Sequence, residues 1–161
     1  ASDPEDENLR TTALSLGEEL KTEHDGSAYA TFAAMHLAKI AVEQGDLIKA
    51  QAELEWAISQ RPEQHLESIA RMRLARVLVA KGDATAAMAK LLNYEPAGGQ
   101  QATWEEVKGD VFVALGDNVN ARQSYQMALE RLGDGRSRPL LELKLADIPV
   151  TSEMLQPEED A

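Results

Sequence analysis

The stretch 42-VEQGDLIKAQAELEWAISQRP-62 decides the fold. A Gly-Asp pair, Gly45-Asp46, interrupts text that otherwise favours helix, alanines follow at Ala50 and Ala57, and Pro62 stops the run. Glycine ends a helix in the left-handed conformation at little steric cost, and aspartate caps the next helix by accepting from its free N–H groups. The segment therefore reads as the turn and second helix of a helical hairpin, and the same punctuation recurs at Gly82-Asp83 and Gly116-Asp117, 37 and then 34 residues on.

Aligned on these glycines, the flanking positions repeat in kind. Seven residues before each stands a small residue, Ala38, Ala75 or Gly109, and five after stands Ala50, Ala87 or Ala121. Nine after come Leu54, Leu91 and Tyr125, and twelve after come Ala57, Tyr94 and Ala128. Small residues belong where paired helices cross, because a larger side chain would push the axes apart, and the leucine or tyrosine fills the seam to the next hairpin.

At these residues the chain resembles the tetratricopeptide repeat, a 34-residue helix–turn–helix unit. The expected repeats are about 31–64, 68–101 and 102–135. The second is degenerate, since Tyr94 stands where a small residue is expected and Pro96-Ala-Gly-Gly replaces a regular ending. Its second helix is expected to stop near Asn93, with a loop bridging to Trp104. Leu9, Ala13, Leu16 and Leu20 recur at helical spacing before the repeats, as Leu140, Leu141, Leu143 and Leu145 cluster after them. These segments read as a partial hairpin over 9–30 and a capping helix over 137–147 that cover the apolar ends of a solenoid. The expectation is one all-α domain over 9–148, a right-handed superhelix of about eight helices, between acidic flexible tails at 1–8 and 149–161.

Composition agrees. Of 161 residues, 43% are apolar and only 4% aromatic, which suits closely packed helices. The net charge of −12 is concentrated at the ends: residues 1–25 hold eight acids and two bases, and residues 147–161 hold five acids and no base. Nothing forms the basic stripe that phosphate binding requires, so nucleic acid is disfavoured as a partner. Without cysteine there can be no disulfide, thiolate nucleophile or Cys-ligated metal. The most apolar stretch, AYATFAAMHLAKIAV, is interrupted by His36 and Lys39 and falls short of the roughly 20 residues a bilayer demands.

The order of parts is more specific than the repeat. The runs SAYATFAAMHLAKIAVEQGDLIKAQAELEWAI, IARMRLARVLVAKGDATAAMAKL and VKGDVFVALGDNVNARQSYQMAL, with the Trp104 loop between the last two, are similar to the YfgM-like family over about residues 12 to 146. The resemblance implies a periplasmic tetratricopeptide-like domain, carried by one N-terminal transmembrane helix in the bacterial inner membrane, beside the SecYEG translocon and periplasmic chaperones. It further implies that these residues are the part outside the membrane, with the anchor removed. The chain departs from the family in lacking that anchor and in its acidic end after Asp147.

Catalytic signatures are wanting. His65 between Glu63 and Glu67 has no second histidine beside it and reads as a solvated helix start, and His36 reads as a packed or half-exposed histidine. Gly98-Gly99 lacks the lysine and strand of a phosphate loop. Glu105-Glu106 reads as a pair of helix-start charges favoured by the dipole. No enzyme and no cofactor are expected.

What remains is a surface. The first helix of each hairpin lines the concave face of such repeats, and its inferred positions are Phe32, Met35, Lys39 and Val42, then Ile69, Met72, Arg76 and Val79, then Thr103, Glu106, Asp110 and Val113. The methionines suit adaptable contact with varied apolar segments. The set lacks the asparagines of the carboxylate-clamp repeats. The expected function is a non-enzymatic adaptor that binds proteins. The alternative is a scaffold that assembles with itself or one fixed partner, its groove filled by a terminal helix.

Overall fold

The computed structural model describes residues 4–132 and 138–149. Eight α-helices follow in order: α1 (Pro4–Glu23), α2 (Ala28–Glu43), α3 (Leu47–Ser59), α4 (Gln64–Ala80), α5 (Ala84–Leu91), α6 (Gln101–Leu115), α7 (Asn118–Leu132) and α8 (Pro139–Asp147). Among the described residues there is no strand.

The three Gly-Asp turns behave as their chemistry dictates. Gly45, Gly82 and Gly116 adopt φ of 77°, 84° and 76°, a region that costs an L side chain strain. Each glycine N–H bonds three residues back and each aspartate N–H five back, as in Asp46 to Ala41 O at 2.8 Å, so the last carbonyls of the first helix are satisfied. The Asp46, Asp83 and Asp117 carboxylates then accept from Lys49 N, Ala86 N and Asn120 N at 2.9, 2.9 and 3.1 Å. The hairpins α2–α3, α4–α5 and α6–α7 result, and they stack through α3 on α4 and α5 on α6.

The crossings are built from the small residues. Ala38, Ala50, Ala57, Ala75, Ala87, Ala121 and Ala128 are all buried, and Leu54, Leu91 and Tyr125 fill the seams. Gly109 lies flat against the Tyr125 ring. The degenerate second hairpin ends at Leu91, and Asn93 turns the chain with φ of 57°. Tyr94 then folds back: its hydroxyl donates to Gln64 O at 3.1 Å, the Trp104 ring lies tilted against its ring with centroids 5.4 Å apart, and the Arg71 guanidinium lies 4.4 Å from its centroid. Gly98-Gly99 enters a short 3₁₀ turn, Gly98–Gln100, and α6 begins three residues before Trp104.

The ends differ from expectation in detail. Helix α1 starts at Pro4, so residues 4–8 belong to it rather than to a tail. Its leucines do not form the covering face: Leu9, Leu16 and Leu20 are exposed, at 69%, 54% and 36%. The packing face lies one position further round, where Gly17 meets Leu37 and Lys21 reaches Glu53 at 2.7 Å and lies over the Trp56 ring. Backbone proximity outweighs side-chain size here, because α1 approaches α2 closely only along a residue without Cβ. In α8, Leu141 is fully buried and Leu145 partly so, while Leu140 and Leu143 face solvent. The expected tail at 149–161 lies, from residue 150 onward, outside the described residues.

Candidate functional site

An open groove of about 350 Å³ lies between α2 and α4 and is floored by α3. Its lining is apolar at Ala38, Val42, Leu47, Leu54, Val77 and Ala80, with Met35 at its base. Lys39, Arg73 and Arg76 stand along it. Lys39 approaches Glu43 only at 3.7 Å, Arg73 Nη1 donates to the Met35 carbonyl at 3.5 Å, and among the described residues no carboxylate pairs with Arg76. Three cations beside an apolar floor, in a chain of net charge −12, are a local reversal of the overall field.

Four of the residues inferred from sequence meet here: Met35, Lys39, Val42 and Arg76. Their spacing along α2 and α4 puts them on facing stripes, as helical periodicity requires. The others do not join them. Met72 is 5% exposed and lies in the core with Ile69 and Val79 packed against it, and Met35 itself is 3% exposed. Met35 and Met72 thus fill the interior between hairpins instead of forming an adaptable surface, and the exposed apolar group of the groove is Val42. Phe32 is 54% exposed but lies beyond the groove. Arg73 was missed, although it stands four residues after Ile69 and shares that helix face.

The third hairpin offers no open acidic face, contrary to expectation. Asp110 accepts from the Tyr125 hydroxyl at 2.8 Å and pairs with Lys144 at 2.7 Å. Glu106, inferred to line the concave face, is buried and held by Lys144 and Arg138, both at 2.9 Å. Glu105 is buried as well, between Lys108 and Arg131 at 3.0 and 3.2 Å. These acids are not helix-start charges favoured by the dipole but anchors by which α7 and α8 are fixed to α6. Burial opposes the charge on Lys144, yet its hydrogen bonds to Asp110 and Glu106 outweigh it and raise the pKa above the ordinary lysine value. Burial, then the Asp110 hydrogen bond, likewise pushes the Tyr125 phenol well up. Thr103 is half-buried, and Val113 stays exposed at 43%.

His36 and His65 are both exposed, and among the described residues no group of His, Asp and Glu could hold a metal ion. No helix among them is long and apolar enough to cross a membrane.

Comparison with known proteins agrees with the fold and with the resemblance drawn from its motifs. The chain is 30% identical over 129 residues to an ancillary SecYEG translocon subunit of Aggregatibacter actinomycetemcomitans, covering 78% of this chain and 60% of that protein. It is 30% identical over 122 residues to the subunit of the same name from Haemophilus influenzae, covering 76% and 59%. The chain thus spans about three-fifths of the length of these relatives. No solved structure matches it. The tetratricopeptide repeat-like domain family matches residues 3–150, nearly the whole chain, and the chain belongs to that family.

Proposed function

We propose that this chain is a non-enzymatic protein-interaction module whose groove between α2 and α4 receives segments of partner proteins. The carrying observation is the groove itself: an opening of about 350 Å³ with an apolar floor and with Lys39, Arg73 and Arg76 beside it, set on a helical scaffold. Such a surface can bury an apolar anchor while the cations hold carboxylates or carbonyls, and a buried anchor contributes about 2 kcal/mol or more where a rim charge contributes little. The name that the two relatives bear supports a setting beside the SecYEG translocon. The finer reading is an adaptor between that translocon and periplasmic chaperones, on the periplasmic side of the inner membrane. Membrane attachment would come from an anchor outside these residues.

The test is a titration of the chain with an unfolded secretory protein, followed by fluorescence anisotropy. Val42→Glu places a charge on the floor at a 45% exposed position and should weaken capture at least tenfold with the helical spectrum unchanged. Equal capture by both chains would move the partner surface elsewhere.

A second reading rests on the exposed stripe Leu9, Leu16 and Leu20 of α1, which would suit a scaffold joining copies or one fixed partner. A solution mass by sedimentation distinguishes it: a dimer lost in Leu16→Lys favours the scaffold.

A further inference from the structure

We propose that the C-terminal segment 150–161, which lies outside the described residues, docks in the groove between α2 and α4 and competes there with partner segments. This rests on the groove being the partner site.

Three observations converge. The first is charge. The segment VTSEMLQPEEDA carries Glu153, Glu158, Glu159 and Asp160 with no base, and it presents Val150 and the pair Met154-Leu155. The groove offers the complement, an apolar floor and the cations Lys39, Arg73 and Arg76, two of them with only weak internal partners and Arg76 with no carboxylate among the described residues.

The second is direction. Arg138 before the start of α8 meets Glu106 near the start of α6, and the Leu145 carbonyl near its end accepts from Arg122 near the start of α7 at 3.4 Å. Helix α8 therefore runs parallel to α6. Lys144 sits beside Asp110, so the end of α8 at Asp147 is level with Val113. Val113 stands three residues before its turn glycine, as Val79 and Val42 stand before theirs. The chain leaves α8 at the end of the stack where the groove opens.

The third is reach. Side chains of α8 reach α6, α6 packs on α4, and α2 stands beyond α4 as the far wall of the groove, three steps of about 8–10 Å each at packed-helix spacing. Twelve extended residues span up to about 40 Å. A tethered segment of this length acts at an effective concentration on the order of millimolar, so weak complementarity suffices for occupancy.

The chain has no cysteine, so a pair of introduced thiols reports proximity in the full chain without background. Val42→Cys with Gln156→Cys, oxidised with glutathione, should close an intramolecular disulfide at least tenfold faster than Ile48→Cys with Gln156→Cys. Ile48 is 76% exposed at the same end of the stack but outside the groove. Adding Lys39→Glu and Arg76→Glu, both at exposed positions, should reduce the fast rate to that of the control. Equal rates at positions 42 and 48, or a fast rate indifferent to the charge reversal, would overturn the proposal.

Capture of the unfolded secretory protein is scored separately, with Glu158, Glu159 and Asp160 changed to Gln. Capture should rise severalfold. Capture that stays the same while Val42→Glu still weakens it tenfold overturns the tail's role alone. A fast disulfide with no capture by either chain supports docking and removes the partner reading.

Discussion

Gly109 on α6 faces Tyr125 on α7 so closely that a Cβ at position 109 would lie 2.3 Å from the ring carbon Cε1. Tyr125 cannot yield easily, because it is 2% exposed and its hydroxyl is held by Asp110 at 2.8 Å. Gly109→Ala should therefore part α6 from α7 and cost about 1–3 kcal/mol in urea unfolding. Tyr125→Leu combined with it should recover part of that loss.

Ala57 is fully buried where α3 crosses its neighbours. Ala57→Leu should overpack the crossing and cost about 1–3 kcal/mol, measured by the same unfolding. Unchanged stability would mean that the hairpins can separate at this point.

Lys21 pins α1 to α3 through Glu53, both side chains largely withdrawn from water. Lys21→Met should leave a buried, uncompensated carboxylate and cost about 3 kcal/mol or more. Pairing it with Glu53→Gln should restore much of the difference in a double-mutant cycle.

Met35→Glu and Met72→Glu should each lower the melting temperature sharply, since both side chains are core. A charge buried without a partner is among the most costly substitutions. Val42→Glu should melt within a few degrees of the parent chain. The two classes separate folding from binding in one thermal series.

The α8 anchorage has a definite pH sign. The Lys144 pKa is raised above 10.5 by Asp110 and Glu106, against the burial that opposes its charge, so its contribution is fully present below that value. It is lost as pH rises through the raised value. The stability difference between the parent chain and Lys144→Met should be constant from neutrality to about pH 10 and shrink above 10.5, followed by denaturant titration. A difference that shrinks below pH 9 would show that another group holds the helix.

The hairpins were legible in the sequence because their determinants are local. A Gly-Asp turn needs only a backbone that tolerates positive φ and a carboxylate beside free N–H groups, both within a few residues of Gly45, Gly82 and Gly116. The small residues at the crossings followed for the same reason, since register from the turn fixes which side of each helix meets its partner. Three of the four groove residues on α2, Met35, Lys39 and Val42, were readable by periodicity.

Burial depth was not readable, because it depends on how far the hairpins rotate against each other. That rotation drew Met35 and Met72 into the core and left Val42 as the exposed contact. It also turned Leu9 and Leu16 outward, because only Gly17 lets α1 approach Leu37 closely. The acids of α6 depended on partners 26 to 38 residues away: Arg131 on α7 and Lys144 on α8 close over Glu105, Glu106 and Asp110 only after the chain has folded back. Local chemistry thus determined the repeat and its turns, while long-range packing decided which charges are anchors and which cations, Lys39, Arg73 and Arg76, remain to face a partner.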